Sequence, residues 1–199
     1  MQLAIIGTAG RKEDNTKINT ELYNNMKDII YKFVKERPQI DSMISGGAAV
    51  ADHLAVLLYN KDVIKKLTLC LPCKFDMANC QFEDNKNSDW FLNPGKTMNY
   101  YHRMFCGHCD GLKSLEQIKF AIDKGAKVIV EDGFHERNSI VAKADLLIAF
   151  TFGSEENVKA GGTANTVSKF LKKNKAENSW HVDLNTFKIY QGAKVFGVK

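Results

Sequence analysis

The chain has 199 residues, of which 44% are hydrophobic and 26% are charged, and its formal net charge is +5. These proportions are those of an ordinary globular protein, and they exclude disordered, collagen-like and disulfide-dense classes. The length suits one domain with a full core, so we expect a single domain over residues 1–199.

The cysteine content and the apolar runs indicate where the protein works. Five cysteines are an odd number, which favours reduced thiols over a disulfide framework. No apolar run reaches the roughly 18 residues that a membrane span requires, and the run at 1–7 is too short for a secretory signal. We therefore expect a cytoplasmic protein without a membrane partner. Its lysines are spread along the chain, which argues against a nucleic-acid partner.

Buried-strand patterns alternate with helical patterns along most of the chain. The opening run LAIIG predicts a buried strand, and apolar residues at helical spacing over 18–34 predict a helix that ends before Pro38. The later predictions are strands at 42–45, 67–71, 127–130 and 145–150, helices at 48–60, 114–124, 136–144 and 163–173, and a half-exposed edge strand at 180–184. This alternation predicts an α/β fold, a Rossmann-like three-layer sandwich with a mainly parallel sheet.

A long insertion near residues 73–112 interrupts the alternation. It is rich in asparagine, aspartate, cysteine and aromatic residues, and its periodicity is weak. Loops of this length are functional or contain small elements of their own. Its aromatic and cationic residues could stack a base and bind a phosphate, or could belong to an ordinary surface helix with a packed aromatic side. The residues concerned are Lys96, Asn99, Tyr100, Tyr101, His102, Arg103 and Phe105.

Two cysteine pairs raise the alternatives of a metal site or a redox site. Cys70 with Cys73 and Cys106 with Cys109 could form a four-cysteine zinc site. However, Cys70 belongs to an apolar strand, so its side chain is expected in the core. The second pair is not surrounded by a thioredoxin-like order of elements. We therefore expect neither a metal nor a cofactor.

Three glycine-rich turns follow predicted strands, at 7–11, 45–48 and 160–166. Ligands of such sheets bind beyond the carboxyl ends of the strands. Glycine lets the backbone approach a phosphate, whose oxygens accept hydrogen bonds from the free amides at a helix start. The candidate ligand-binding residues in these turns are Gly7, Thr8, Gly10, Arg11, Ser45, Gly46, Gly47, Gly161, Gly162, Thr163, Asn165 and Thr166. The alternatives are tight turns, close packing of helix on sheet, and a simple helix cap.

A fourth polar cluster lies at residues 135–138, before the strand at 145–150. Arg137 could pair with a phosphate, and Asn138 could read a base or a ribose. The alternative is an exposed helix start with a surface arginine.

Together, GTAGR at 7–11, SGGAAVAD at 45–52, GFHERN at 133–138 and AGGTANT at 160–166 resemble the SLOG superfamily of Rossmann-like nucleotide-binding proteins. That superfamily includes the Lonely-Guy phosphoribohydrolases and the DNA-processing protein A family, and the likeness is nearest to its YspA/YpsA-like branch. It covers residues 2–172, except that the insertion has no counterpart. The resemblance implies a nucleotide or nucleotide-derived signalling molecule as ligand. It also implies a homo-oligomer, because SLOG relatives often form dimers.

One departure from the superfamily bears on catalysis. The Lonely-Guy motif ends in a glutamate that serves cleavage of an N-glycosidic bond, and aligning that motif from Ala160 puts Ser168 in its position. A serine cannot stabilise a cationic sugar as a carboxylate does. We therefore expect a protein that binds a nucleotide-type small molecule. The alternative is a nucleoside 5'-monophosphate phosphoribohydrolase with Arg137 and Glu136 as catalytic residues.

Overall fold

The computed structural model describes residues 1–195, which form a layered arrangement of strands and helices. In chain order, its strands are β1 (Gln2–Gly7), β2 (Ser42–Ser45), β3 (Lys66–Leu71), β4 (Phe75–Asp76), β5 (Gln81–Phe82), β6 (Lys127–Val130), β7 (Leu146–Thr151), β8 (Asn157–Val158), β9 (Ser179–Asp183), β10 (Lys188–Gln191) and β11 (Lys194–Val195). The α-helices are α1 (Thr20–Lys35), α2 (His53–Asn60), α3 (Pro94–His108), α4 (Ser114–Asp123), α5 (Phe134–Val141) and α6 (Gly162–Leu171). Two short 3₁₀ helices cover Lys12–Lys17 and Ala176–Asn178.

Seven strands form the central sheet in the order β10-β9-β7-β1-β2-β3-β6. All neighbours are parallel except β10, which pairs antiparallel with β9. The chain first adds strands outward from β1 through β2 and β3 to β6, and then returns to the other side of β1 with β7. The direction of winding therefore changes between β1 and β7, which is where sheets of this kind bind ligands.

The two faces of β1 separate the helices into two layers. Leu3 and Ile5 belong to one buried cluster together with residues of α1, α2, α3 and α4. Ala4 and Ile6 point to the opposite face and join a second cluster with residues of α5 and α6. The fold is therefore a Rossmann-like three-layer α/β sandwich, and the predicted fold class is confirmed.

Helix α1 illustrates how local sequence sets the element boundaries. Asn19 caps its start, because the Asn19 side-chain oxygen accepts a hydrogen bond of 2.8 Å from the Leu22 amide. Met26, Ile30 and Phe33 lie on its buried face. The helix begins at Thr20 rather than at 18, since the 3₁₀ helix separates it from the first glycine turn.

The prediction for residues 180–184 is wrong, because this segment is not an edge strand. All five residues of β9 are buried, since β7 pairs with one side of the strand and β10 with the other. Polar residues of β9 have partners inside the structure: the His181 ring nitrogen Nε2 lies 2.8 Å from the Thr151 hydroxyl. The alternation of polar and apolar residues indicated a strand with one exposed face. The polar side chains are buried instead, because hydrogen bonds within the structure satisfy them.

Helix α2 begins at His53, five residues later than predicted. The intervening turn is held by Ser45, whose hydroxyl donates to the Asp52 carbonyl (2.9 Å) and accepts from the Gly47 amide (3.1 Å). Val50 adopts a φ of +63°, which is incompatible with a right-handed helix. The glycine turn after β2 is therefore a compact loop rather than a helix start.

The insertion is an ordered part of the fold. Strands β4 and β5 form a small antiparallel hairpin, and α3 runs for 15 residues behind it. The Asn99 side chain bonds both the amide and the carbonyl of Phe82, at 2.9 and 2.8 Å, and so attaches the helix to the hairpin. None of the helices within residues 1–195 has the length and apolarity needed to cross a membrane.

Candidate functional site

A groove of about 630 Å³ lies at the carboxyl ends of β1 and β7. Its volume is within the range of about 300–1,000 Å³ that is usual for small-molecule sites. The predicted residues that line it are Gly7, Thr8, Arg11, Gly46, Arg137, Asn138, Gly161, Gly162, Thr163, Asn165 and Thr166. The structure thus brings the first and third glycine turns, and part of the second, to one cavity.

Four predicted site residues do not line the groove. The Gly10 amide donates to the Thr8 hydroxyl (3.1 Å), and the Ser45 hydroxyl holds the turn before α2. A Cβ atom on Gly47 would lie 2.6 Å from the Leu71 side chain, so this glycine serves close packing. Glu136 is exposed on α5.

The end of β1 supplies an acidic cluster that the sequence analysis missed. The Thr8 hydroxyl donates to the Asp14 carboxylate at 2.8 Å. Lys159 reaches across from the loop after β8, and its Nζ lies 2.6 Å from both Asp14 Oδ1 and Glu13 Oε1. Hydrogen bonds to Asp14 and Glu13 raise the pKa of Lys159, and the hydrogen bond from Lys159 lowers the pKa of Glu13. The two consecutive acidic residues at positions 13 and 14, shortly after GTAGR, were the available signal.

A buried ion pair forms another wall of the groove. Arg137 Nη1 donates to the Gly46 carbonyl at 2.7 Å and lies 3.7 Å from Asp52 Oδ2. Only 11% of the Arg137 side chain and 7% of the Asp52 side chain are exposed. Burial raises the pKa of Asp52 and lowers that of Arg137, because both charged forms lose contact with water. The buried Arg137 Nε has no hydrogen-bond partner within residues 1–195.

Helix α6 starts at the groove, where Gly161 and Gly162 are exposed. Its N-cap is Gly161, no side chain caps it, and no acidic residue lies in its first turn. The first backbone amide of α6 with a hydrogen-bond acceptor inside the helix is that of Asn165, which donates to the Gly161 carbonyl at 3.0 Å. The preceding amides, from Gly162 to Ala164, therefore have no intrahelical acceptor and carry the positive end of the helix dipole. The Thr163 hydroxyl donates to the Gly7 carbonyl (3.0 Å) and ties this helix to β1.

Aromatic side chains form one part of the groove lining, which we call the outer end of the groove. Trp90, Phe91, Tyr101 and Phe134 all line it. The Arg11 guanidinium lies 5.2 Å from the Tyr101 ring centroid and 5.4 Å from that of Phe134, and it has no ion-pair partner among the described residues. Trp90 and Phe91 were not predicted, because nothing in their local pattern distinguishes them from other loop residues.

The other residues proposed for base stacking in the insertion are partly in the core. Asn99, His102 and Phe105 are all at least 95% buried, so their predicted contact with a base is wrong. His102 Nε2 lies 3.0 Å from the Gly47 carbonyl, and its Nδ1 lies 2.9 Å from the Ser114 hydroxyl. Through these contacts, helix α3 supports the glycine turn after β2.

The cysteine pairs do not come together. Cys70 packs in the cluster beside α5 and α6, whereas Cys109 belongs to the cluster on the opposite face of the sheet. Within residues 1–195, no group of three or more His, Cys, Asp or Glu residues is arranged to hold a metal ion.

The fold and the groove together define an α/β Rossmann-like protein with a candidate small-molecule site at the change in winding direction. No protein-family model matches the chain. The chain is 35% identical over 182 residues to the uncharacterized protein R261 of Acanthamoeba polyphaga mimivirus, an alignment that covers 88% of this chain and 93% of the viral protein. The chain therefore belongs to the same family as R261.

Proposed function

We propose that this protein binds a nucleotide or nucleotide-derived signalling molecule in the groove, as a member of the SLOG superfamily. The observation that carries the proposal is the meeting of two glycine turns, those after β1 and at the start of α6, in one cavity of about 630 Å³. The uncapped amides of α6 suit a phosphate, because backbone N–H groups and the helix dipole both favour an anion there.

Charged side chains that line the same groove support the same ligand. Arg11 is exposed at the groove and has no ion pair within residues 1–195, so its guanidinium is available to a phosphate. Arg137 has an unpartnered buried Nε and suits an acceptor oxygen of the ligand. Asn138 lines the groove and suits a ribose or a base.

Isothermal titration with AMP, ADP-ribose and NAD tests the proposal. Wild-type protein is expected to bind at least one of these compounds. Arg11→Met is expected to weaken that binding about tenfold, because a hydrogen bond to a charged group is lost. Arg103→Met, at an exposed arginine outside the groove lining, is the matched control and should leave the affinity unchanged. Folded protein that binds none of the three compounds would contradict the proposal.

Hydrolysis of an N-glycosidic bond is the second candidate, and one observation favours it. Ser168 and Glu136 lie outside the groove lining, yet three carboxylates, those of Glu13, Asp14 and Asp52, line it. A carboxylate can stabilise the cationic sugar that forms in such a reaction. This candidate assigns that role to Asp14, which is 94% buried and held by Thr8 and Lys159.

Chromatography of AMP after incubation with the protein separates the two candidates. If the second one holds, free adenine accumulates with wild-type protein, and Asp14→Asn abolishes its release. If no nucleoside monophosphate releases free base, the hydrolase candidate is wrong and only the binding proposal remains.

A further inference from the structure

We propose that the insertion supplies a base-stacking site at the outer end of the groove, in which Phe91 and Trp90 hold the ring of a purine nucleotide. This inference rests on the proposed function, and it adds the part of the ligand that the phosphate-binding turns do not contact. It also assigns selectivity among nucleotides to a segment outside the glycine turns.

Exposure of the two aromatic side chains is the first observation. Phe91 is 63% exposed and Trp90 is 42% exposed, although both line a cavity. Exposed apolar side chains that adjoin one another mark binding sites more often than isolated ones do. Leu92, the next residue, is 56% exposed but does not line the groove. Of these three exposed neighbouring side chains, only the two aromatic ones therefore line the groove.

The backbone that carries these rings is fixed by polar side chains. The Thr97 hydroxyl donates to the Trp90 carbonyl at 2.7 Å, and the Phe91 amide donates to the Asp89 carboxylate at 2.7 Å. The Asn85 side-chain amide donates to the Leu92 carbonyl at 2.8 Å. These bonds fix the backbone of the segment that carries the two rings. Such preorganisation lowers the entropic cost of binding a flat ligand.

The aromatic residues extend from the insertion to the opposite wall of the groove. The Phe91 ring centroid lies 5.8 Å from that of His135 on α5. Trp90 packs edge-on against Tyr100 at 4.9 Å, and Lys96 Nζ lies 5.5 Å from the Trp90 ring centroid. Phe91 keeps the larger open surface and is therefore the main stacking partner.

The lining of the groove combines two kinds of group, and this combination points to the class of ligand. The start of α6 offers backbone amides and glycines, whereas Trp90 and Phe91 offer exposed ring faces. A molecule that has both a phosphate and a planar base can use both. Stacking depends on ring area rather than on the hydrogen-bonding edge of the base. We therefore expect purine nucleotides to bind more tightly than pyrimidine nucleotides, with adenine and guanine accepted alike.

Isothermal titration of the full chain with AMP, GMP, CMP and ribose 5-phosphate tests the inference. AMP and GMP are expected to bind with similar affinity and more tightly than CMP. Ribose 5-phosphate, which lacks a base, should bind about tenfold more weakly than AMP. Phe91→Ala should weaken AMP binding about tenfold and leave ribose 5-phosphate binding unchanged. Leu92→Ala, at the exposed neighbour, should change neither.

Trp90 provides an independent optical readout. AMP should quench the fluorescence of wild-type protein and ribose 5-phosphate should not, while Trp90→Phe should abolish the response because the other tryptophan, Trp180, is buried away from the groove.

Two outcomes would overturn the inference while leaving the phosphate site intact: equal affinity for AMP and ribose 5-phosphate, or equal AMP affinity in Phe91→Ala and Leu92→Ala. If folded protein binds neither AMP nor ribose 5-phosphate, the inference fails; the proposed function fails with it only if ADP-ribose and NAD do not bind either.

Discussion

Arg137 and Asp52 are charged residues of the groove wall that are almost completely buried. Each compensates the other, so removal of one leaves a buried charge without a partner. Arg137→Met is expected to lower the free energy of unfolding by about 3 kcal/mol, and urea denaturation measures the change. Adding Asp52→Asn should recover part of the loss, since the uncompensated carboxylate is then absent.

Arg103→Met serves as the matched control for this prediction because Arg103 is exposed. Its effect should stay within about 0.5 kcal/mol. If Arg137→Met were no more destabilising than this control, the interpretation of the Arg137–Asp52 contact as a structural ion pair would be wrong.

The sequence predicted individual site residues best where the backbone itself forms the groove. Gly161, Gly162 and Thr163 line it because a helix start exposes several consecutive amides at one end. Arg137 and Glu136 are adjacent in sequence, but successive helical residues project in directions about 100° apart. Arg137 therefore faces the groove, whereas Glu136 faces solvent. The sequence of a polar cluster does not show which of its residues faces the groove.

At the scale of elements, the start of α6 allows stability and binding to be separated. A Cβ atom on Gly162 would meet nothing within 4 Å, so a side chain is accommodated there. Gly162→Asp should raise the free energy of unfolding slightly, by about 0.5 kcal/mol, because a carboxylate complements the helix dipole. The same carboxylate should repel a phosphate and weaken nucleotide binding at least about tenfold. Thermal denaturation and titration with AMP measure the two effects.

Ser168→Asp adds the same charge to the same helix at a residue that does not line the groove. It should leave AMP binding nearly unchanged. Equal losses of affinity in the two variants would mean that the charge acts at long range, and that the phosphate does not bind at the helix start.

Elements with apolar buried faces were predicted closely, as α4 and β7 show. A surface helix was only one of two alternatives for the insertion, and the bounds of α3 were not predicted, because part of its buried face is polar: Thr97, Asn99 and His102 are all at most 5% exposed. Hydrogen bonds to Trp90, Phe82, Gly47 and Ser114 satisfy them. Hydrophobic periodicity cannot detect a face of this kind, since the partners become known only in the folded chain.

At the scale of the whole molecule, the alternation of strands and helices was sufficient to predict a parallel sheet with helices on both faces. The order of the strands was not predicted. Nothing local in the sequence indicates that β7 returns to lie beside β1, or that β10 covers β9. Strand order depends on long-range packing of the crossovers, and here it decides which turns share the groove.

Buried histidines predict that the protein loses stability in mild acid. Burial lowers the pKa of His53 to about 4, and burial with repulsion from His53 lowers that of His102 to about 3. Burial also lowers the pKa of His181. In the unfolded chain these groups take up a proton near pH 6.5. The unfolded state then binds more protons than the folded state, so stability falls as the pH decreases below 6.5.

Urea denaturation at several pH values between 7 and 4.5 measures this dependence. His53 and His102 should each contribute a slope of roughly 1.4 kcal/mol per pH unit below pH 6.5. His102→Gln should reduce the slope by about that amount, whatever its effect at pH 7. Leu92→Ala, at an exposed residue that does not titrate, should leave the slope unchanged. A slope that is the same in wild type and His102→Gln would contradict the prediction.

The ion pairs in the groove also bear on how fast an anionic ligand arrives. Four cationic side chains (Arg11, Lys12, Arg137 and Lys159) and three carboxylates (Glu13, Asp14 and Asp52) line the cavity, which leaves a single excess positive charge. Such a balanced site attracts a distant phosphate only weakly. Capture should therefore proceed by unassisted diffusion, with an association rate that hardly changes when salt is added in stopped-flow measurements, and the residence time of the ligand should govern how tightly it is held.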